Sequence, residues 1–422
     1  MNITVLGQWH LGCVTAASCA QHFNVTGLDF DSALIADLRQ GKAPIFEPGL
    51  DSLIRAGLSR GNLRFATDAE ACAQSDILWL AADTPVDDND QSDTAAVLNL
   101  LRRCLAHFRN GGLVLISSQL PVGTCRRLQA EFPEFRFACA PENLRLGRAL
   151  DAFNKAERVV VGMADPSVKP LIERLFSPFT GTMVWMRLES AEMVKHALNS
   201  FLALSVTFIN EIAGLCEAVG GDAEEVSRGL KSDARIGPQA YLGPGAAFAG
   251  GTLARDVVNL MGIGESVGQP IPVIQAIKRS NDLHRGWAFR RLTSRFGSVS
   301  GKRIGMLGLT YTPNTSTLRR SAAVELCRQL AGCGATVKAF DPVLASLPAE
   351  LSMIELAGAM EGAVRGSDAV IIGTDYAEFR SAPWPELLRQ MREPIIVDAN
   401  RFLARSLNGA ATVEYMTVGR CA

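Results

Sequence analysis

The first thirty residues contain the pattern that most restricts the fold of this chain. Residues 2–6 (Asn-Ile-Thr-Val-Leu) predict a short buried strand, and Gly7 begins a turn that leads into a helix. A second predicted strand, Asn24–Leu28, ends at Asp29, 17 residues after Gly12. An acidic residue about 20 positions after a glycine turn is typical of dinucleotide-binding folds, where it binds the adenosine ribose. The chain therefore begins with a predicted Rossmann-like unit.

The same strand and helix alternation continues along the chain. Further predicted strands at 77–82, 113–117 and 158–162 extend a parallel α/β sheet. A single long helix is expected from Glu189 to about Gly220, because apolar residues recur at three- and four-residue steps without proline. A second α/β unit begins near Gly301, with predicted strands at 336–340, 369–372 and 394–397. The fold class is α/β, with two Rossmann-like halves joined by a helical centre.

Composition limits the class of protein and of ligand. With 422 residues the chain is too long for one core and predicts two or three domains of about 100–200 residues. The net charge of −1 gives no general field that would attract nucleic acid or an anionic membrane. Ten cysteines without a C-x-x-C pair or a Cys/His cluster indicate reduced thiols, no metal site and a cytoplasmic protein.

The longest apolar tract, residues 197–219, contains Asn199, Asn210, Glu211 and Glu217. It is therefore expected to be too polar for a membrane span, which needs about 20 apolar residues. The N-terminus reads as a strand, so no signal peptide is expected.

Residues 244–256 read P-G-A-A-F-A-G-G-T-L-A-R-D, which is too ordered in its spacing for a linker. This stretch resembles the active-site loop of the UDP-glucose/GDP-mannose dehydrogenases, P-G-x-G-F-G-G-S-C-F-P-K-D. Three further segments resemble that family: 41–50 (G-K-A-P-I-F-E-P-G-L), Thr84-Pro85 and 121–124 (P-V-G-T). The resemblance extends over nearly the whole chain.

The resemblance implies a domain order, a cofactor and a substrate class. Residues 1–188 would form an NAD-binding Rossmann-like domain, 189–298 a central helical domain with the active-site loop, and 299–422 a nucleotide-sugar-binding α/β domain. A nucleotide-diphosphate sugar, with a UDP-sugar favoured, would be the substrate, and the long helix would carry much of a homodimer contact. Asp29 favours NAD over NADP, because a carboxylate repels a ribose phosphate.

The resemblance also implies functional residues. Lys195 and Asn199 lie four apart on the long helix, so both project from one face, and they match the pair that binds the reacting oxygen. Asp256 matches the aspartate that positions water beside that lysine. The predicted catalytic residues are Lys195, Asn199, Asp256, Glu142 and Thr252. The predicted cofactor-binding residues are Gly7, Trp9, Leu11, Gly12, Asp29, Thr84, Pro85, Gln119 and Arg319. The predicted substrate-binding residues are Glu142, Leu144, Lys195, Asn199, Arg235, Tyr241, Phe248 and Gly250.

The departures from the family pattern fall mainly on one half of its chemistry. The family oxidises a sugar hydroxyl to an aldehyde, captures it on a cysteine, oxidises the adduct to a thioester and hydrolyses it. Thr252 replaces that cysteine, Leu146 a second glutamate and Gln119 a threonine, and all three family residues serve the thioester. A threonine hydroxyl is a poor nucleophile without an adjacent base. The sequence therefore predicts chemistry limited to two electrons, or a transient oxidation.

Other substitutions leave two alternatives open. Trp9 replaces the glycine that lets the backbone approach a pyrophosphate, and Arg255 and Thr312 replace family lysines. One alternative is a four-electron oxidation of the UDP-glucose 6-dehydrogenase type, through an aldehyde hydrate without a covalent adduct. The other is a non-catalytic protein that binds nucleotide sugars.

Overall fold

The structure is a computed structural model, and it describes all residues except 86, 88–91, 143, 145, 250–251, 314, 408–412 and 421–422. The chain divides into two compact units, residues 1–198 with 258–267, and residues 199–257 with 268–422. The boundary falls inside two helices of the central region. The three domain limits expected from the sequence stay a prediction.

The first unit is built on an eight-stranded sheet in the order β3-β2-β1-β4-β5-β6-β7-β8. Its strands are β1 (Asn2–Leu6), β2 (Asn24–Leu28), β3 (Leu63–Ala66), β4 (Ile77–Leu80), β5 (Leu113–Ile116), β6 (Arg136–Cys139), β7 (Val159–Met163) and β8 (Met183–Met186). Its helices are α1 (His10–Cys19), α2 (Ser32–Arg39), α3 (Leu50–Arg60), α4 (Thr94–Leu105), α5 (Thr124–Glu131), α6 (Ala149–Asn154) and α7 (Lys169–Phe176). The first six strands follow the order of dinucleotide-binding folds, which confirms the predicted Rossmann-like unit.

One part of the predicted parallel sheet is wrong. The strand expected at 158–162 is β7, and it pairs antiparallel with β6, with Cys139 opposite Gly162. An antiparallel neighbour begins at the edge where the previous strand ends, so the connection need not cross the whole sheet. The one α-helix among the described residues of this connection, α6, has six residues, too few to act as a full crossover helix. β8 then runs parallel to β7.

The long central helix is confirmed as α8 (Leu188–Val219). Among the described residues, it is the one helix whose length and composition would allow it to cross a membrane. The composition of this tract therefore contradicts the expectation that it is too polar to span a membrane. A core helix passes the same test, and α8 supplies the fully buried Ala191, Ala203, Ile209 and Ala213.

The second unit is built on a six-stranded sheet in the order β11-β10-β9-β12-β13-β14, and all of its recorded pairings are parallel. Its strands are β9 (Arg303–Leu307), β10 (Thr336–Phe340), β11 (Ile354–Leu356), β12 (Ala369–Ile372), β13 (Ile395–Val397) and β14 (Glu414–Met416). The helices after α8 are α9 (Ala223–Ser232), α10 (Thr252–Ser266), α11 (Pro272–Arg285), α12 (Trp287–Phe296), α13 (Ala322–Gly332), α14 (Met360–Val364), α15 (Ala377–Arg380) and α16 (Trp384–Gln390). The second α/β half predicted from the sequence is confirmed.

Candidate active site

The turn between β1 and α1 requires glycine at two positions. Gly7 has φ of +90°, and a Cβ there would lie 2.5 Å from atoms of Ala82. A Cβ on Gly12 would lie 1.6 Å from the carbonyl oxygen of Gly7. The start of α1 is therefore packed directly against the turn, and the turn against the residues that follow β4. This is the close packing that a dinucleotide-binding turn needs.

Trp9 is the N-cap residue of α1, and its side chain makes no capping hydrogen bond. The residue is 49% exposed, so the indole stays outside the packed core at the helix end where a dinucleotide fold binds pyrophosphate. Leu11, two residues after Trp9, is half-buried and packs against the core of the first unit. The neighbouring Gln8 is fully buried, and its Nε2 donates to the carbonyl oxygen of Val5.

Asp29 lies directly after β2 and is fixed by the backbone. Its Oδ2 accepts a hydrogen bond of 2.7 Å from the N–H of Gln8, and its Oδ1 accepts one of 3.1 Å from the N–H of Asp31. The carboxylate is therefore held at the carboxyl edge of the sheet beside the β1–α1 turn. Carboxylate oxygens keep further lone pairs after one bond each, so this geometry fits an adenosine ribose.

The predicted cofactor residues after β4 and β5 lie together. The Thr84 hydroxyl donates to the carbonyl oxygen of Gln119 over 2.7 Å, and the Ser118 hydroxyl donates to that of Ala82 over 2.6 Å. The segment that begins with Thr84-Pro85 is thus tied to the segment that precedes the P-V-G-T motif. Together with the β1–α1 turn, these segments fit the residues that would hold NAD.

Glu47 lies within the G-K-A-P-I-F-E-P-G-L segment. No role was predicted for this residue from the sequence, and the structure shows that it is a structural one. It is 4% exposed, and its carboxylate accepts from the N–H groups of Gly147 (2.7 Å) and Ala149 (2.8 Å). Its Oε2 also lies 3.0 Å from Nε2 of His10 at the start of α1. Glu47 therefore links the turn of the cofactor site to the segment that precedes α6.

Replacing Glu47 by glutamine is expected to lower the free energy of unfolding by about 1–3 kcal/mol, because the amide nitrogen would face a backbone donor in place of a charged acceptor. Denaturant unfolding followed by intrinsic fluorescence measures the change. Glu157→Gln, at an exposed position of the same unit, is the matched control and should leave the midpoint unchanged. Equal midpoints for both variants would show that the Glu47 contacts contribute no stability.

The segment that Glu47 anchors contains three residues singled out from the sequence. Glu142, Leu144 and Leu146 are all half-buried. Leu144 packs against the core of the first unit, which accounts for an apolar residue there. Asn143 and Arg145 lie outside the described residues, so the structure leaves the predicted roles of this segment as predictions.

Two of the predicted catalytic residues meet inside the second unit. Asn199 of α8 and Asp256 of α10 are 5% and 0% exposed, and Nδ2 of Asn199 lies 2.5 Å from Oδ2 of Asp256. Thr252 is the first residue of α10 and is exposed, one helical turn before Asp256. Lys195 lies one turn before Asn199 on α8 and is half-buried. A buried amide and a buried carboxylate are thus bonded one turn from Thr252, the residue predicted to replace the family's cysteine.

The loop before Thr252 is held at its first residues by two side chains that sequence reasoning missed. The N–H of Gly245 donates to Oδ1 of Asn210 over 3.0 Å. The Gly245 carbonyl oxygen lies 2.8 Å from Nε2 of His284. Burial lowers the pKa of His284 below its usual value, which favours a neutral ring that donates to this carbonyl.

Two further side chains hold the middle of the loop. The N–H of Ala246 donates to Oδ1 of Asn400 over 2.9 Å. Asn281, 4% exposed, accepts from the N–H of Phe248 and donates to its carbonyl oxygen, at 3.0 and 2.9 Å. Asn281 lies on α11 and Asn400 in the segment after β13. Only the folded structure shows that these two side chains contact the loop.

Two of the remaining predicted substrate residues, Arg235 and Tyr241, are exposed in the single chain. The Arg235 side chain is 89% exposed and forms a two-point ion pair with Asp233, at 3.0 and 2.7 Å. This pairing lowers the pKa of Asp233. Tyr241 is 52% exposed, Phe248 is half-buried, and Gly250 lies outside the described residues.

The second α/β half repeats the turn of the first. The N–H of Gly308 donates to the carbonyl of Phe340, and Oδ2 of Asp341 accepts from the N–H groups of Leu309 and Thr310 at 2.7 and 3.0 Å. Asp341 is therefore the counterpart of Asp29.

Two residues that follow this second turn had been singled out from the sequence. Thr312 is half-buried and its carbonyl accepts from the Thr315 hydroxyl over 2.9 Å. Arg319 is exposed, and Arg255 on α10 is half-buried. Among the described residues there is no group of three or more His, Cys, Asp or Glu side chains that could hold a metal ion.

The fold and these sites define the class. The chain matches, in order, the NAD-binding domain (residues 1–180), the central domain (189–283) and the UDP-binding domain (305–405) of the UDP-glucose/GDP-mannose dehydrogenase family. The chain belongs to this family. It is an NAD-dependent oxidoreductase of the nucleotide-sugar dehydrogenase class, and its C-terminal domain supports the binding of a nucleotide sugar.

Similar proteins align along their whole lengths. UDP-glucose 6-dehydrogenase YwqF of Bacillus subtilis is 35% identical, over 100% of this chain and 98% of that protein. UDP-glucose 6-dehydrogenase of Pseudomonas aeruginosa is 31% identical, with the same coverage. The structure of a UDP-glucose dehydrogenase from Pyrobaculum islandicum has a TM-score of 0.86 and 29% identity, covering 100% of this chain and 98% of that chain. UDP-D-ManNAc dehydrogenase from Pyrococcus horikoshii also has a TM-score of 0.86, with 25% identity, 100% of this chain and 99% of that chain.

Proposed function

We propose that this protein oxidises a nucleotide-diphosphate sugar, with a UDP-sugar favoured, by one hydride transfer and does not proceed to an acid. The observation that carries the proposal is the buried bond between Asn199 and Asp256, one helical turn from a threonine at the nucleophile position. A UDP-sugar is favoured because the C-terminal half matches the family's UDP-binding domain and similar proteins carry that substrate in their names.

The proposed chemistry uses the groups that the chain retains. NAD, when bound, would accept the hydride from the carbon that bears the reacting hydroxyl. Asn199 donates one hydrogen of its amide to Asp256, and the second hydrogen of the same nitrogen can stabilise negative charge on the substrate oxygen. Lys195, one turn earlier on α8, adds a positive charge on the same helix face. The hydroxyl proton leaves through Asp256, directly or through a water that it positions.

The absence of a thiol at position 252 determines how far the proposed oxidation proceeds. Position 252 begins a helix, where backbone N–H groups and the helix dipole favour a thiolate. A threonine hydroxyl gains little from the same position, because its pKa is far higher than that of a thiol and because Asp256, the base of the proposed reaction, accepts the proton of the substrate hydroxyl. The product would be a dialdose or a ketose. Alternatively, the hydride returns to the opposite face and inverts a centre, as in an epimerase. Identification of the product by NMR tests the proposal, and a uronic acid would contradict it.

A second candidate is a protein that binds nucleotide sugars without turnover, and Trp9 at the start of α1 favours it. Titration calorimetry separates the two functions. The enzyme requires binding of both NAD and the nucleotide sugar, whereas binding of the sugar alone would support the second candidate. Four-electron oxidation through an aldehyde hydrate is a further alternative, and it would yield the acid despite the absence of a thiol.

We further propose a homodimer that forms through α8. Phe201, Phe208, Leu215 and Val219 are 64%, 46%, 62% and 81% exposed. Their spacings of seven, seven and four residues put them on one helix face. An apolar face of this size on a single chain is typical of an interface. A dimer would also give the exposed Arg235 a second chain to contact. A cytoplasmic location stays a prediction from cysteine usage.

Replacing Phe208 by glutamate is expected to convert the dimer to a monomer, because the charge would be buried without a partner at the centre of this face. Sedimentation velocity at several concentrations measures the change. Met353→Glu, at a position 43% exposed elsewhere in the second unit, is the matched control and should remain dimeric. A wild-type protein that is monomeric at every concentration would refute the dimer.

A further inference from the structure

A cavity of about 680 Å³ lies in the second unit, beside the first residues of the active-site loop. It is bordered by α9, by Gly243 and Pro244, by the end of α15 and by residues 400–406 after β13. Its volume is in the range of small-molecule sites, about 300–1,000 Å³.

The lining of this cavity is strongly basic. Among the described residues, five cationic side chains and one acidic side chain, that of Glu224, line it. The cations are Arg228, Lys231, Arg380, Arg401 and Arg405. A chain with a net charge of −1 thus concentrates positive charge in one concave site, where field lines are focused and an anion is attracted.

Two of the arginines are held in place before any ligand binds. Arg401, with a side chain 14% exposed, donates from Nη2 to Asp222 at 3.0 Å and from Nη1 to Glu224 at 2.6 Å. Its Nε is buried and has no hydrogen-bond partner among the described residues. The Arg380 guanidinium lies 3.9 Å from the centre of the Phe402 ring. Because Arg401 is already paired with two carboxylates, it fixes the wall of the cavity, and the other four cations are the ones that would contact an anion. A guanidinium group held in place, such as that of Arg380, loses little entropy on binding an anion.

We propose that this cavity is a binding site for a diphosphate-class anion. Planar guanidinium groups around a cavity of this size match the several oxygens of a diphosphate better than the single charge of a carboxylate. None of the five cations belongs to the catalytic or substrate residues named above, so the site is additional to them. The proposed ligand is a free nucleoside diphosphate that acts as an effector.

The test uses inorganic pyrophosphate as the probe in titration calorimetry on the full chain. The double variant Arg228→Gln with Arg405→Gln removes two exposed cations of the cavity and should weaken binding at least about tenfold. Arg60→Gln with Arg174→Gln removes the same charge from exposed positions of the first unit and should bind as the wild type does. Raising the salt concentration should weaken wild-type binding.

Two results of this titration would overturn the proposal. One is an equal change in pyrophosphate affinity in the cavity variant and the control variant. The other is the absence of binding to the wild-type protein at millimolar pyrophosphate. A second titration in saturating nucleotide sugar identifies the source. Retention of pyrophosphate binding supports a separate effector site, and its loss would overturn the proposal, because the cavity would then hold the diphosphate of the substrate. These readouts need no turnover, so they fail or succeed independently of the proposed oxidation.

Discussion

Asp256→Asn is expected to lower kcat about 10²- to 10⁴-fold, the range that general acid–base groups contribute. The substitution keeps the size of the side chain but removes the charge that accepts from Asn199. The amide that stabilises the substrate oxygen would lose its orientation, and the hydroxyl proton would lose its acceptor. Because this loss concerns the transition state, kcat and kcat/KM should fall together. Steady-state rates of NADH formation measure it.

A merely structural Asp256 would give a different result. Its removal would lower the unfolding midpoint without a selective loss of turnover, so thermal melts accompany the kinetics. Asp151→Asn, at an exposed position paired with Lys155, is the matched control and should keep wild-type rates. A kcat for Asp256→Asn within about threefold of wild type would remove Asp256 from the proposed chemistry, since even modest acid–base contributions exceed that factor.

Thr252→Cys is expected to convert turnover into covalent capture. A thiol at the first position of α10 becomes a better nucleophile, because the helix N-terminus lowers its pKa. The sulfur adds to the aldehyde carbon, its proton is released and the carbonyl oxygen takes a proton. Loss of hydride from the adduct carbon to a second NAD, with loss of the proton from the adduct hydroxyl, would then give a thioester. Leu146 and Gln119 are predicted to replace the family residues that serve hydrolysis, so the thioester should accumulate.

Intact-protein mass spectrometry measures the formation of this covalent adduct directly. The chain should gain the mass of the nucleotide sugar less the hydrogens removed in the two oxidations, and a single turnover should yield a second NADH. Thr252→Ser is the matched control, because it has the size of cysteine without the sulfur, and no adduct should form on it. An unmodified Thr252→Cys protein that still releases aldehyde would show that position 252 does not face the reacting carbon.

The sequence predicted the elements whose signals are local. Strands β2, β10 and β12 agree with their predicted limits, because short apolar runs are bounded by turn residues, and α8 agrees within one residue at each end. The direction of β7 was wrong, because strand direction depends on the path of the connection and not on the strand's own residues.

The sequence predicted only those residues of the candidate site that lie within a motif of the family. Asn199 and Asp256 are 57 residues apart, and only the family pattern associated them. Glu47 contacts residues 100 and 102 positions away, and the contacts of Asn281 and Asn400 with the loop span 33 and 154 positions. Such amide and carboxylate contacts have no periodic signal. The basic cavity was missed for the same reason, since its cations come from three separate segments.

Counting the NADH formed per nucleotide sugar consumed tests the central claim most directly. Purified enzyme, excess NAD and a limiting amount of nucleotide sugar, with UDP-glucose first, are brought to completion, and the product is identified by mass. We expect no more than one NADH per sugar and a carbonyl product or an inverted sugar. Two NADH per sugar with a uronic acid product would contradict the claim that the loss of the thiol at position 252 stops the reaction after one oxidation.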